Sequence, residues 1–102
     1  MANYYTDQPE IAFHLEHPLM KRIVELKERN YADKDKYDEA PVNYEDAIEN
    51  YKRILDITGD VAANIIEPNS ESVDLEGPHL IDNRMHYANK TYENLDATRK
   101  AG

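Results

Sequence analysis

The sequence predicts a mainly α-helical protein: a small helical bundle with one long central helix over about residues 44–67 and a small β-hairpin over about 79–87. Three observations predict it. Apolar residues between 44 and 66 recur at alternating steps of four and three, which a strand cannot produce because its period is two. An Asp82-Asn83 pair stands between two short apolar stretches, as a tight turn stands between strands. Leu, Ile, Val and Phe together make only 20 of the 102 residues, so a single small, thinly filled domain is the ceiling.

Residues 1–17 read as an N-terminal arm. Its first eight residues are polar and aromatic without a period, which predicts a loose segment. Pro9 then opens a short helical turn over 10–15 carrying Ile11, Phe13 and Leu15. His17-Pro18 resets the chain. A helix is expected over 18–30, with Leu19, Met20, Ile23, Val24 and Leu26 on one side and Lys21, Arg22, Glu25, Lys27 and Glu28 on the other. Residues 31–42 form a charged linker. Their Asp33-x-Asp35 start looks like a calcium loop, but Asp38 stands where the tight turn needs glycine and Tyr44 where a bidentate Glu belongs.

The long helix is expected over 43–67, with Asn43 as its cap and Asp46 completing a variant capping box. Tyr44, Ile48, Tyr51, Leu55, Thr58, Ala62 and Ile65 form one row along it, the predicted packing or interface row. Ala47, Ile54 and Val61 form a second row, and Ile57 and Ile66 widen the band. Such a helix runs about 35 Å. Gly59 inside it costs about 1 kcal/mol relative to Ala, so either packing outweighs that cost or a neighbouring backbone approaches there. Pro68 is expected to end the helix, and residues 69–78 to form a polar loop. The hairpin over 79–87 lacks the glycine usual at its turn. Thr91 is expected to cap a terminal helix over 91–101 carrying Tyr92, Leu95 and Ala97.

Charge and composition narrow the function classes. With 12 basic and 21 acidic residues the net charge is −9, which disfavours nucleic acid and anionic membranes as partners. No apolar run approaches the ~20 residues of a membrane span. The N-terminus shows no secretory leader, so a cytoplasmic setting is expected. There is no cysteine, which removes disulfides and thiolate metal sites. Glycine-rich phosphate loops and nucleophile elbows are missing as well. His14, Glu16 and His17 are the best metal candidate, but the set is incomplete and Pro18 places a helix boundary beside it. His79 and His86 flank the hairpin turn and are expected on its surface. No catalytic, cofactor-binding or metal-binding residue is therefore assigned. What remains is more apolar helix face than the chain's own short helices can cover, so another segment or subunit is expected to cover it.

Several stretches, read in order, carry a resemblance. These are Val61-Ala62-Ala63-Asn64-Ile65-Ile66-Glu67-Pro68, the loop with Asp74-x-Glu76-Gly77, the Leu80 to Tyr87 hairpin, and Thr91-Tyr92-x-x-Leu95 leading to Arg99-Lys100-Ala101-Gly102. An N-terminal stretch, Ile11-Ala12-Phe13-His14-Leu15, belongs with them, and the resemblance covers residues 4–102. This order resembles the N-terminal helical domain of FAD-dependent acyl-CoA dehydrogenases, in particular the bacterial subgroup similar to 3-methylmercaptopropionyl-CoA dehydrogenase. Asp82-Asn83-Arg84 departs from the Asn/Asp-Gly usual at the hairpin turn. The resemblance implies a piece of a larger oxidoreductase that packs on a middle β domain and a C-terminal helical bundle. Those later parts hold the glutamate base, the flavin contacts and most of the acyl-CoA pocket. The full enzyme would remove a proton beside the thioester and pass a hydride from the next carbon to FAD. This chain would supply scaffold: one wall near the acyl chain and part of the subunit packing, with no FAD of its own. A stand-alone acidic helical module, docking a partner helix or pairing with itself as a homo-oligomer, is the alternative.

Overall fold

The computed structural model describes residues 2–102. The chain is mainly helical, with one small antiparallel sheet. Its elements are α1 (Pro9–Leu15), α2 (Met20–Lys27), α3 (Tyr44–Val61), a π-helical turn (Ala62–Ile66), α4 (Glu67–Glu76), β1 (His79–Ile81), β2 (Arg84–His86) and α5 (Asn89–Ala101).

The N-terminal segment is not loose. The Asn3 side chain accepts the N–H groups of Tyr5 at 2.8 Å and Thr6 at 3.1 Å, closing a local turn. The same side chain donates to the Asp56 carbonyl at 3.0 Å and the Asp56 carboxylate at 3.1 Å, which ties the turn to α3. Asp7 accepts from the amides of Ala2 and Asn3, and Asn64 donates to the Ala2 carbonyl at 2.9 Å. A segment with no hydrophobic period is thus held by polar bonds to residues more than fifty positions away.

Helix α2 is shorter than the expected 18–30. At its start the Leu19 N–H donates to the His17 ring nitrogen Nδ1 at 3.0 Å, so Pro18 and Leu19 turn before the helix begins. At its end Arg29, Asn30 and Tyr31 take positive φ of 52°, 55° and 61°. Asn30 N–H bonds to the Glu25 carbonyl at 2.8 Å and Arg29 N–H to Leu26 at 3.3 Å, a Schellman closure made without glycine. Helix α3 starts as expected: the Asn43 side chain accepts from Asp46 N–H at 2.9 Å. The Asp46 carboxylate reaches back to Val42 N–H at 3.1 Å.

Pro68 does not end the long helix, and residues 69–76 are not loop. Helices α3 and α4 are contiguous through the π-helical turn, in segments of 18, 5 and 10 residues. A proline inside an α-helix has no N–H to give and crowds the carbonyl four residues back. Here Glu67 N–H bonds instead to Ala62, five residues back. The wider turn lets Pro68 sit in the opening turn of a renewed helix, where its missing N–H costs least. At 1.5 Å per residue this helical run spans about 50 Å, against a longest molecular dimension of 49 Å. Gly77, at φ 66°, ends it.

The hairpin forms with Leu80 opposite Met85 and Ile81 opposite Arg84. Asp82 and Asn83 hold φ of 51° and 62°, the left-handed pair that a two-residue turn of the primed type requires. Asp and Asn tolerate that region better than other residues with a side chain, so the missing glycine does not prevent the turn. Helix α5 begins at Asn89, two residues before Thr91, and Thr91 is not its cap. Its first amide is met from elsewhere: the Glu76 carboxylate, at the end of α4, accepts from Asn89 N–H at 2.9 Å. Asn69 of α4 donates to Asn94 at 2.8 Å and locks the same pair of helices together.

The core is small. Leu15, Val24, Ala47, Ala63 and Ala88 are its buried apolar side chains, and three of them are alanines. Small residues let the helices approach closely while burying little area each.

Candidate functional site

The candidate site is the apolar face of the long helix. Of the predicted row, Tyr44, Ile48, Tyr51, Leu55, Ala62 and Ile65 are half-buried, and Thr58 is exposed. Deepest burial falls beside that row, at Ala47, Gly59 and Ala63. Two neighbours cover this side. Helix α2 packs on α3, where the Tyr51 hydroxyl donates to Glu28 and the Lys27 ammonium lies 6.0 Å from the Tyr51 ring centre. The N-terminal segment covers Gly59: Tyr4 N–H bonds to the Gly59 carbonyl at 3.1 Å. A Cβ at Gly59 would lie 2.2 Å from Asn3 Oδ1 and 2.7 Å from the Tyr5 nitrogen. Of the two explanations for this glycine, close approach of a neighbouring backbone is the one the structure shows.

The rest of the band is open. Ile54 is 59% exposed, Ile57 41% and Ile66 38%. Together with Val61, Thr98 and Ala101 they line an apolar groove of about 250 Å³ between α3 and the end of α5. Leu19 at the cap of α2, Ile23 and Leu26 within it, and the hairpin residues Leu80 and Met85 are likewise exposed.

The groups with shifted titration are held in burial or in structural hydrogen bonds. Burial, with the Glu28 hydrogen bond second, pushes the Tyr51 hydroxyl well above its ordinary range. Burial also raises Tyr31, whose hydroxyl has no hydrogen-bond partner. A hydrogen bond to Glu67 raises Tyr4. On α5, the bonds from Lys90 and Asn69 lower Glu93, and those from Lys100 and Arg99 lower Asp96.

The sequence's metal candidate is not assembled. Glu16 pairs with Lys52 at 3.2 Å, His17 accepts a backbone bond, and the His14 ring packs edge-on against Phe13 at 5.6 Å. Sequence reasoning did not find Asn3 and Glu76, whose bonds to α3 and α5 hold the scaffold together. The Asn3 to Asp7 spacing does signal a local turn, but nothing local signals where that turn docks. No helix among the described residues is long and apolar enough to cross a membrane. Comparison with protein-family models, with curated proteins and with solved structures finds no match.

Proposed function

We propose that this chain is the N-terminal helical domain of an FAD-dependent acyl-CoA dehydrogenase of the bacterial 3-methylmercaptopropionyl-CoA dehydrogenase-like kind, acting as scaffold and not as catalyst. The carrying observation is the open groove of Ile54, Ile57, Val61 and Ile66 beside α5. Apolar surface so placed on a chain with so little core is surface that a partner covers. The ordered motifs of the sequence name that partner as the middle β domain and C-terminal helical bundle of the same enzyme, working in the cytoplasm. The chemistry, proton abstraction beside the thioester and hydride transfer to FAD, then belongs to those parts.

Flavin absorbance gives the first check. The isolated chain should purify colourless and bind neither FAD nor acyl-CoA in equilibrium dialysis. Stoichiometric flavin on this chain alone would overturn the assignment. A second reading, a homodimer closed through the same groove, rests on the groove's own apolar character. Sedimentation equilibrium separates the two, since the scaffold reading expects a monomer that associates only with the remaining enzyme domains.

A further inference from the structure

We propose that residues 29–31 are a two-state hinge at the end of α2, bent as seen here and able to straighten into one further turn of helix. Arg29, Asn30 and Tyr31 hold φ of 52°, 55° and 61°, three left-handed residues in a row. Residues with a side chain visit that region singly, and Asn more readily than Arg or Tyr, because Cβ crowds the following carbonyl oxygen. At Asp82 and Asn83 the hairpin turn itself demands the left-handed pair. The local sequence makes no such demand at 29–31. Residues 19–40 hold no glycine and no proline, and the helical pattern of α2 runs on to residue 30. The chain therefore bends against its own local preference.

Specific bonds hold the bend. The Arg29 guanidinium reaches both Asp33 carboxylate oxygens at 2.6 Å across the run, and Tyr31 N–H bonds to the Glu28 carbonyl at 2.9 Å. The Tyr31 side chain seats where the charges of Glu25 and Glu28 from α2 and of Glu45 from α3 all bear on its hydroxyl. That hydroxyl is buried without a hydrogen-bond partner among the described residues, so the seat is costly as well as the backbone. Backbone strain and an unpaired buried polar group at one place mark an element whose two arrangements lie close in energy. On straightening, residues 29–31 return to right-handed dihedrals, α2 gains about one turn, and Tyr31 leaves its seat. The end of α3 that carries Tyr44 and Tyr51 is then less covered. The hinge thus sets how far the N-terminal half of the apolar face is shielded. It uses none of the groove residues and stands or falls separately from the scaffold proposal.

The test is NMR relaxation dispersion with saturation transfer on the full chain. Wild-type amides over residues 28–34 should exchange on the microsecond-to-millisecond scale with a minor form populated at about 0.1–10%. The minor form should carry helical Cα shifts at residues 29–31. Asn30 is exposed, so its substitution leaves the packing alone. Asn30→Gly should cut the minor population at least about threefold, because glycine accepts the left-handed region and weakens a helix. Asn30→Ala should raise it at least about threefold for the opposite reasons. Tyr31→Phe should lower it too, since the bent form then buries no unpaired hydroxyl. The hinge is overturned by flat profiles over 28–34 or by minor-form shifts that are not helical. It is overturned equally if the Asn30 variants leave the population unchanged or reverse its direction, or if Tyr31→Phe does not lower it.

Discussion

Gly59 shows how one missing methyl can organise a chain. Alanine there would gain about 1 kcal/mol of helix propensity. It would also drive a Cβ into Asn3 Oδ1 and the Tyr5 backbone, the latter unable to swing aside as a long side chain would. Overpacking of this kind costs about 1–3 kcal/mol, and the Tyr4–Gly59 and Asn3–Asp56 bonds would be strained with it. Gly59→Ala should therefore lower the melting temperature, with faster amide exchange at Tyr4 and Tyr5. An unchanged or higher melting temperature would mean that the N-terminal segment does not press on α3. Tyr51 and Tyr31, with Tyr4, tie stability to alkaline pH. The first two hold their protons more tightly folded than unfolded, burial being the larger cause. Their contribution is complete below the ordinary tyrosine value of about 10 and is lost as pH rises toward the raised folded values. The melting temperature should fall above about pH 10, and less steeply in Tyr51→Phe. An identical alkaline profile in that variant would remove Tyr51 from the explanation.

At the scale of elements, the joint between α4 and α5 depends on a borrowed cap. Glu76→Ala takes away the acceptor for Asn89 N–H, and caps of this kind are worth about 1 kcal/mol. Urea unfolding should show that loss, with amide exchange rising first in the opening turn of α5. A variant as stable as wild type would show that solvent caps the helix equally well. The elements differ in how far the sequence discloses them. Helix α3 and its Asn43 cap are legible because both signals, apolar period and capping spacing, lie within a few residues. The hairpin is legible from its flanks, and its turn forms on Asp82 and Asn83 because those residues accept positive φ. Pro68 misleads because the rule that proline stops a helix assumes α geometry, and a π-turn removes that assumption. Thr91 misleads for another reason: the acceptor for the first amide of α5 comes from a residue 13 positions earlier. The N-terminal segment is illegible locally because it docks through side-chain amides on residues distant in sequence.

The whole molecule is long and thinly filled. Its radius of gyration is 17.8 Å, where a compact chain of this length has about 13 Å. The candidate face is legible in the sequence as an apolar band, but not which part is covered. The docking of α2 and of the N-terminal segment decides that, leaving Ile54, Ile57 and Ile66 toward solvent. Substitutions should therefore divide by row. Leu55→Asp, on the half-buried side, should cost at least about 2 kcal/mol by circular-dichroism melting. The double variant Ile54→Asp/Ile57→Asp should melt close to wild type, because both side chains already meet water. The most direct measurement is co-purification of each form with the β and C-terminal helical domains of a 3-methylmercaptopropionyl-CoA dehydrogenase-like enzyme that lacks its own N-terminal domain. The wild-type chain should co-purify in a one-to-one complex that carries FAD, and the double variant should fold but stay behind. Failure of the wild-type chain to associate, or equal association by the double variant, would contradict the groove as the docking face.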